Sequence, residues 1–438
     1  MDINKRQSIH FIGIGGIGVS SLARFYISKG NRVTGSDLQA SEITESLIRE
    51  GAMIHIGKQN AKHIPIDTRL IIYTAAISDG NPELKEAHKQ KLETKTYAQA
   101  IGDLTKTYRT ITISGSHGKS TTTALVSLVL EDGYYDPMVI IGTKLNEFGG
   151  SNFRNGHGSY LVLEADEWNK SFLNYHPEIA IVTNIDAEHL DTYGTVAEVE
   201  RAFQEYLEKI PRHGAIIANA DNERLYHVAK KFGMKVIWYS LKDPEAQLIR
   251  SCLRIPGEHN VSNALAALKL GRHLGITDPN ILRALGRFTG AWRRFEFMGM
   301  LNNAFIYHDY GHHPSEIIAT LSAARDRFPF RRIICMYQPH QYQRLAYAWN
   351  EFISAFDFAD TILMLPVYDV AGRETDSARK AVNSRKLVKE LTARGKQAEY
   401  SASFASAKKW IKSRAKTGDV VMIMGAGDIY ELVKEIVY

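Results

Sequence analysis

TITISGSHGKSTTTALVSLVL, residues 110–130, runs from a short apolar strand through a turn with two glycines to Lys119, Ser120 and an apolar helix. A glycine turn between strand and helix leaves several amides pointing at whatever sits on the helix N-terminus, a natural cradle for polyphosphate. Gly115, Ser116, Gly118 and Thr121 supply that cradle. Lys119 offers a point charge to the outer phosphates, and the Ser120 hydroxyl can join a Mg2+ shell. The strict phosphate-loop spacing asks for glycine at position 113, where this chain has Ile113, so the turn is a shortened variant.

Outward from this unit the pattern repeats. Apolar strands at 8–12, 32–35, 69–74, 110–114, 160–163, 179–183, 215–218, 305–308, 331–337, 361–365 and 419–424 alternate with helical periodicity. That alternation predicts an α/β protein of parallel sheets covered by helices. So many strands exceed one ordinary sheet, so the sheet restarts. Boundaries near Asp103 and Gly290 give three domains: 1–103, 104–290 and 291–438. A chain of 438 residues accommodates them, and 44% hydrophobic with 23% charged residues is globular composition.

The balance of 54 Lys and Arg against 48 Asp and Glu leaves +6, with no basic run of the kind a nucleic-acid tail needs. No nucleic-acid partner is expected. Two cysteines, Cys252 and Cys335, build neither a disulfide framework nor a four-cysteine zinc site. No apolar run approaches the ~18 to 20 residues of a spanning helix. A cytoplasmic protein without a membrane partner is expected.

A second glycine turn lies in HFIGIGGIGVSSLARFYISKG, residues 10–30, where Gly13, Gly15, Gly16 and Gly18 let the backbone approach a diphosphate. Asp37, at the end of the next strand, is placed to accept hydrogen bonds from a sugar or base. NAD fits this pattern as well as any other nucleotide.

Two polar clusters follow later strands: Glu164, Asp166 and Glu167, then Asn184, Asp186, Glu188 and His189. Ligands of open parallel sheets collect at the carboxyl ends of strands, so both clusters should face the Lys119 turn. Hard oxygen ligands suit Mg2+, and a neutral imidazole can complete the shell. Glu164 and His189 are the expected participants, while Asp166, Glu167 and Glu188 read as solvated surface. In the final third, Arg293 and Arg294 could neutralise a transferring phosphoryl group, although an exposed, unpartnered arginine pair is the ordinary explanation. His312 and His313 stand side by side before Pro314 at a helix start, which favours substrate contacts or caps over zinc.

Taken in order, GIGGIGVSSLA with GSD, YTAAISDGNPEL, GSHGKSTTT, GSNFRNG, EADEWNKSFL, VTNIDAEHLDTYG, GEHNVSNALAA, RRFE, HDYGHHPSE and QPHQYQR resemble the Mur ligase family over essentially the whole chain. The resemblance implies a Rossmann-like amino-terminal domain for a UDP-sugar, a central ATPase domain, and a Rossmann-like carboxyl-terminal domain that completes the site. It implies ATP-dependent joining of L-alanine to the carboxylate of UDP-N-acetylmuramate through an acyl phosphate, in peptidoglycan precursor synthesis; the alternative is attachment of a preformed peptide in wall recycling. A monomer or weak homodimer is expected.

By the same resemblance, Gly13, Gly15, Gly16, Gly18 and Asp37 would hold the UDP part. Gly115, Ser116, Gly118, Lys119, Ser120, Thr121 and Asn260 would bind ATP. Ser120, Glu164 and His189 would hold the metal, Arg294 the γ-phosphate and Asp309 the ribose. His312, His340 and Arg344 would receive the amino acid. Lys119, Glu164, His189 and Arg294 would carry catalysis. The chain departs from the family pattern at Ser120, where threonine is commoner, and at Gln341 and Gln343, where the family commonly has arginine and a small hydroxyl residue. It departs again at His308, the first position of the usual Asp-Asp-Tyr-Gly, and in VYDVAGRE, residues 367–374.

Overall fold

The computed structural model describes residues 6–369 and 374–437; residues 370–373 of the VYDVAGRE segment lie outside the described residues. Three sheets follow one another along the chain. The first holds β1 (Ser8–Ile12), β2 (Arg32–Asp37), β3 (Met53–Ile56), β4 (Thr68–Tyr73) and β5 (Glu93–Thr96) in the order β3-β2-β1-β4-β5, all parallel. The second holds β6 (Arg109–Ser114), β7 (Met138–Leu145), β8 (Ser151–Arg154), β9 (Tyr160–Glu164), β10 (Ile179–Val182), β11 (Ala215–Asn219) and β12 (Val236–Tyr239), ordered β12-β11-β10-β6-β9-β7-β8. The third holds β13 (Glu296–Leu301), β14 (Ala304–Asp309), β15 (Ile333–Tyr337), β16 (Thr361–Met364), β17 (Gln397–Tyr400) and β18 (Val420–Met424), ordered β13-β14-β18-β15-β16-β17.

The α/β class stands, with two departures from purely parallel sheets: β8 runs antiparallel to β7, and β13 antiparallel to β14. The inner strands other than β7 are the ones expected from their apolar runs. β1, β10, β15 and β18 are buried at every residue, as a strand covered on both faces must be. The strands with no counterpart in the sequence pattern are β3, β5, β7, β8, β12, β13 and β17. Six of these seven are the outer strands of the three sheets. An outer strand is half solvated and needs no apolar run; β5 is ETKT and β17 is QAEY.

Two compact units divide the chain. One comprises residues 1–253 and 261–288 and contains the first two sheets; the other comprises 254–260 and 289–438 and contains the third. Among the described residues no helix is long and apolar enough to cross a membrane.

Candidate functional site

Strand β6 delivers the chain to the turn at 115–118, and helix Lys119–Asp132 leaves it. Residues 121–130 of that helix are buried. Two of its buried hydroxyls bond back into the helix, Thr123 Oγ1 to the Lys119 carbonyl at 2.8 Å and Ser127 Oγ to that of Thr123 at 2.7 Å. The turn is clamped to the end of β10. Ser116 N donates to Asn184 O at 3.2 Å, His117 N to Asn184 Oδ1 at 2.9 Å, and Thr183 Oγ1 to His117 O at 2.6 Å. Only glycine fits two positions. A Cβ on Gly115 (φ +130°) would stand 2.2 Å from Thr183 Oγ1, and one on Gly118 (φ +82°) 2.5 Å from Asn263 Oδ1.

Side chains from β9 and the segment after it face this turn. Ser120 Oγ donates to Glu164 Oε1 at 2.9 Å, and Gly142 N donates to Glu164 Oε2 at 2.7 Å. Lys119 Nζ donates to Gly115 O at 2.7 Å, to Ser116 O at 3.3 Å and to Glu167 Oε2 at 2.9 Å. Glu167, expected at the surface, is 1% exposed, and Glu188 is 7% exposed. Glu167 turns inward onto Lys119, and Glu188 lies 3.9 Å from His189 Nε2; of the three acids expected at the surface, Asp166, with its side chain 53% exposed, remains there. His189 Nε2 lies 3.8 Å from Glu167 Oε1. One carboxylate thus links the lysine to the histidine.

Burial by itself would lower the Lys119 ammonium, but Glu167, Asp166 and Glu188 reverse this and raise it, keeping the cation. Burial pushes the Glu167 carboxyl up to about 7, with Lys119 pulling the other way. Burial also raises Glu164, against the bonds from Gly142 and Ser120. The donors suit a hard divalent cation. Ser120 and Glu164 form one oxygen pair, and ligand atoms of Asp166, Glu167 and His189 lie within 4.8 Å of one another.

In the first sheet, the turn after β1 is held by the end of β2. Ser36 O accepts from Gly13 N at 2.9 Å and Ile14 N at 3.1 Å, and Asp37 Oδ2 accepts from Gly15 N at 2.8 Å. Asp37 therefore braces the turn itself, and the amides left for a ligand belong to the start of helix Ile17–Ser28. From β8, Asn152 Nδ2 donates to Ile17 O at 2.5 Å and to Ser20 Oγ at 2.9 Å, fixing the middle sheet against that helix. This gives the GSNFRNG segment a structural purpose that its sequence did not disclose.

In the second unit the two arginines part ways, and neither is the exposed, unpartnered residue of the ordinary explanation. Arg293 donates to His308 Nε2 at 3.1 Å and to the carbonyls of Gly425 and Gly427 at 3.3 and 3.2 Å, with Tyr310 and Tyr430 on its faces at 4.9 and 4.8 Å. Arg294 pairs with Glu316 at 3.3 Å. Asp309 accepts from Phe295 N at 2.8 Å and Gly311 N at 2.7 Å, and burial raises its carboxyl. Asn260 is 6% exposed, its Nδ2 donating to Pro256 O at 2.6 Å. The rings of His312 and His340 meet edge to face at 5.7 Å, and Arg344 Nη1 lies 3.4 Å from His340 Nδ1. His313 caps helix Pro314–Arg327. Sequence reasoning missed Glu374, which accepts the amides of Tyr342 and Gln343 at 3.0 and 3.1 Å.

Comparison with known proteins agrees with this architecture. Sequence models match in chain order: the Mur ligase family catalytic domain over residues 8–109, the Mur ligase middle domain over 113–271, and the Mur ligase glutamate ligase domain over 293–427. A UDP-N-acetylmuramate–L-alanine ligase of Clostridium botulinum (strain Loch Maree / Type A3) is 36% identical over 454 residues, covering 98% of this chain and 97% of that one. Its namesake from Acetivibrio thermocellus is 36% identical over 460 residues, with 99% and 96% covered. Among solved structures, UDP-N-acetylmuramate-alanine ligase MurC from Thermotoga maritima superposes with a TM-score of 0.82 at 27% identity, covering 99% of this chain and 98% of that one. A murein peptide ligase from Psychrobacter arcticus 273-4 shares the fold at a TM-score of 0.71 and 22% identity, with 98% of each chain covered. With three successive domains matched and relatives alike along almost the full length, the chain belongs to the Mur ligase family.

Proposed function

We propose that this protein is an ATP-dependent ligase that joins L-alanine to the carboxylate of UDP-N-acetylmuramate, a step of peptidoglycan precursor synthesis. The observation that carries the reading is the glycine turn at 115–118, where Lys119 and Ser120 head a buried helix and face Glu164 and Glu167. The substrates follow from the relatives at 36% identity, which bear the name of the alanine-adding enzyme. The peptide-adding alternative is represented among solved structures by murein peptide ligases at 22% and 21% identity, a likeness of fold alone.

A carboxylate is a poor electrophile, so the muramyl acid is first phosphorylated by ATP. The alanine amine then attacks the acyl phosphate as free base, and the tetrahedral oxyanion collapses to amide and phosphate. The 115–118 turn, Lys119 and Thr121 hold the triphosphate, Asn260 the adenine and Asp309 the ribose. Arg294 neutralises charge on the phosphoryl group in transfer. Ser120 and Glu164, with His189, hold Mg2+, which when bound screens the phosphate oxygens. Helix Ile17–Ser28 and its glycine turn bind the diphosphate of the nucleotide sugar. His312, His340 and Arg344 orient the amino acid. Domains at 1–103, 104–290 and 291–438 divide these tasks.

Phosphate release measured with ATP, Mg2+, UDP-N-acetylmuramate and a panel of alanine, glycine, serine and tripeptide tests the reading. Release with alanine that requires the nucleotide sugar supports it. Release with tripeptide and not alanine replaces it with the recycling activity.

A further inference from the structure

The segment YTAAISDGNPEL carries Glu83, a residue with no role in the reaction as described so far. Helix Pro82–Lys89 begins beside it, and Asn81 Oδ1 accepts the amides of Glu83 at 2.9 Å and Leu84 at 3.1 Å. The Glu83 side chain turns inward and is 0% exposed. Four donors meet its two oxygens. Oε2 accepts from Ser36 Oγ at 2.6 Å and from His10 Nε2 at 3.2 Å; Oε1 accepts from His63 Nδ1 at 2.8 Å and from Asn60 N at 3.2 Å. Every acceptor site of the carboxylate is used, which is what makes a buried acid tolerable. Burial pushes this carboxyl up, and the bonds from His10, Ser36 and His63 outweigh burial and hold it below the ordinary range.

The four donors come from β1, β2 and the connection after β3, so one carboxylate ties three separate segments together. The shortest of the four bonds goes to Ser36. Ser36 is also the residue whose carbonyl holds Gly13 N and Ile14 N, and its neighbour Asp37 holds Gly15 N. Three successive amides of the first glycine turn thus depend on where Ser36 and Asp37 sit. Apart from a longer contact with Gln59 at 3.4 Å, the Ser36 hydroxyl has Glu83 as its anchor. Hydrogen bonds to an ionised acceptor are about twice as strong as neutral ones, so this anchor is stiff.

We propose that Glu83 is a positioning residue for the diphosphate of the nucleotide sugar, acting through Ser36 on the Gly13–Gly15 turn and the helix that follows it. The inference rests on the assignment of that turn to the UDP-sugar.

The test varies UDP-N-acetylmuramate at saturating ATP and alanine, and ATP at saturating UDP-N-acetylmuramate and alanine, for Glu83→Gln, Ser36→Ala, the double variant and, as a probe of the turn itself, Gly16→Asp. Glu83→Gln should raise the KM for UDP-N-acetylmuramate roughly tenfold and Ser36→Ala roughly threefold, while kcat and the KM for ATP shift less than about twofold. The double variant should be no worse than Glu83→Gln alone, because both remove one linkage. Additive losses, or a fall in kcat at unchanged KM, overturn the positioning role. Should Glu83→Gln fail to fold, Ser36→Ala decides alone: it removes one hydroxyl and must still raise the same KM. If Gly16→Asp leaves that KM unchanged, the assignment of the turn falls. If Gly16→Asp raises it and the other variants do not, only the role of Glu83 falls.

Discussion

Lys119 Nζ and Glu167 Oε2 stand 2.9 Å apart, and the carboxylate is sealed from solvent. The lysine assigned to the ATP phosphates therefore rests against a buried acid, and its removal does two separable things. Lys119→Met should abolish phosphate release while leaving the affinity for UDP-N-acetylmuramate nearly intact. It should also lower unfolding stability by about 3 to 5 kcal/mol, the usual cost of stranding one partner of a buried pair. Adding Glu167→Gln should recover most of that stability and none of the turnover. Urea unfolding beside phosphate-release assays checks both; turnover in either variant would remove Lys119 from the phosphate site.

Ser120 Oγ and Glu164 Oε1 form the oxygen pair assigned to Mg2+, braced on the other side by Gly142 N. Ser120→Ala deletes one hard ligand and leaves the carboxylate. The Mg2+ concentration for half-maximal activity should rise about tenfold, with maximal velocity largely recovered at high Mg2+. Ser120→Thr, which keeps the hydroxyl, should behave like the parent. An Mg2+ titration of each variant distinguishes these outcomes from a simple loss of the fold.

The glycines of the first turn are not equivalent. A Cβ on Gly15 would meet Asp37 Oδ2 at 2.8 Å, whereas one on Gly16 meets nothing nearer than 3.6 Å. Gly16→Ala should keep the parent melting temperature yet weaken binding of the nucleotide sugar, since the methyl crowds the approach to the helix amides. Gly15→Ala should lower the melting temperature as well. Calorimetric binding of UDP-N-acetylmuramate, read beside thermal unfolding, separates the two effects.

The parts of the fold legible in sequence are those whose burial is local. Runs such as ITIS and VVMIM must be inner strands, and a glycine turn before an apolar helix must be a strand-to-helix unit. ETKT and QAEY carry no such demand, and their strand state comes from the neighbour that pairs with them. The site divides the same way. Lys119 and Ser120 announce themselves by spacing, and Glu164 by its place at a strand end, but Asp166 and Glu167 read as solvated surface. Nothing local says that Glu167 points at a lysine 48 positions earlier, or that Glu83 reaches back 73 residues to His10. Charge pairing across the fold, not periodicity, places these acids inside.

His308 shows what replaced the family's usual aspartate. Its ring is 0% exposed; Nδ1 bonds the Ile423 carbonyl at 2.8 Å, and Nε2 accepts from Arg293 Nε at 3.1 Å. That pattern requires the neutral ring with its proton on Nδ1. Burial first, then the nearby Arg293, pushes its pKa down from 6.5 to about 3. The unfolded chain therefore binds one more proton than the folded chain across that window, so stability should fall as pH drops from about 6.5 towards 3. Arg293→Ala would leave His308 Nε2 and the carbonyls of Gly425 and Gly427 without their donor, costing about 2 to 4 kcal/mol. His308→Asp, which restores an anion beside Arg293, should remove this histidine's share of the acid sensitivity, leaving only what the chain's other groups contribute. Urea midpoints of the parent and His308→Asp between pH 4 and 7 check the sign: equal slopes would mean that the folded ring takes up its proton over the same pH range as in the unfolded chain, against the hydrogen bonds that define it.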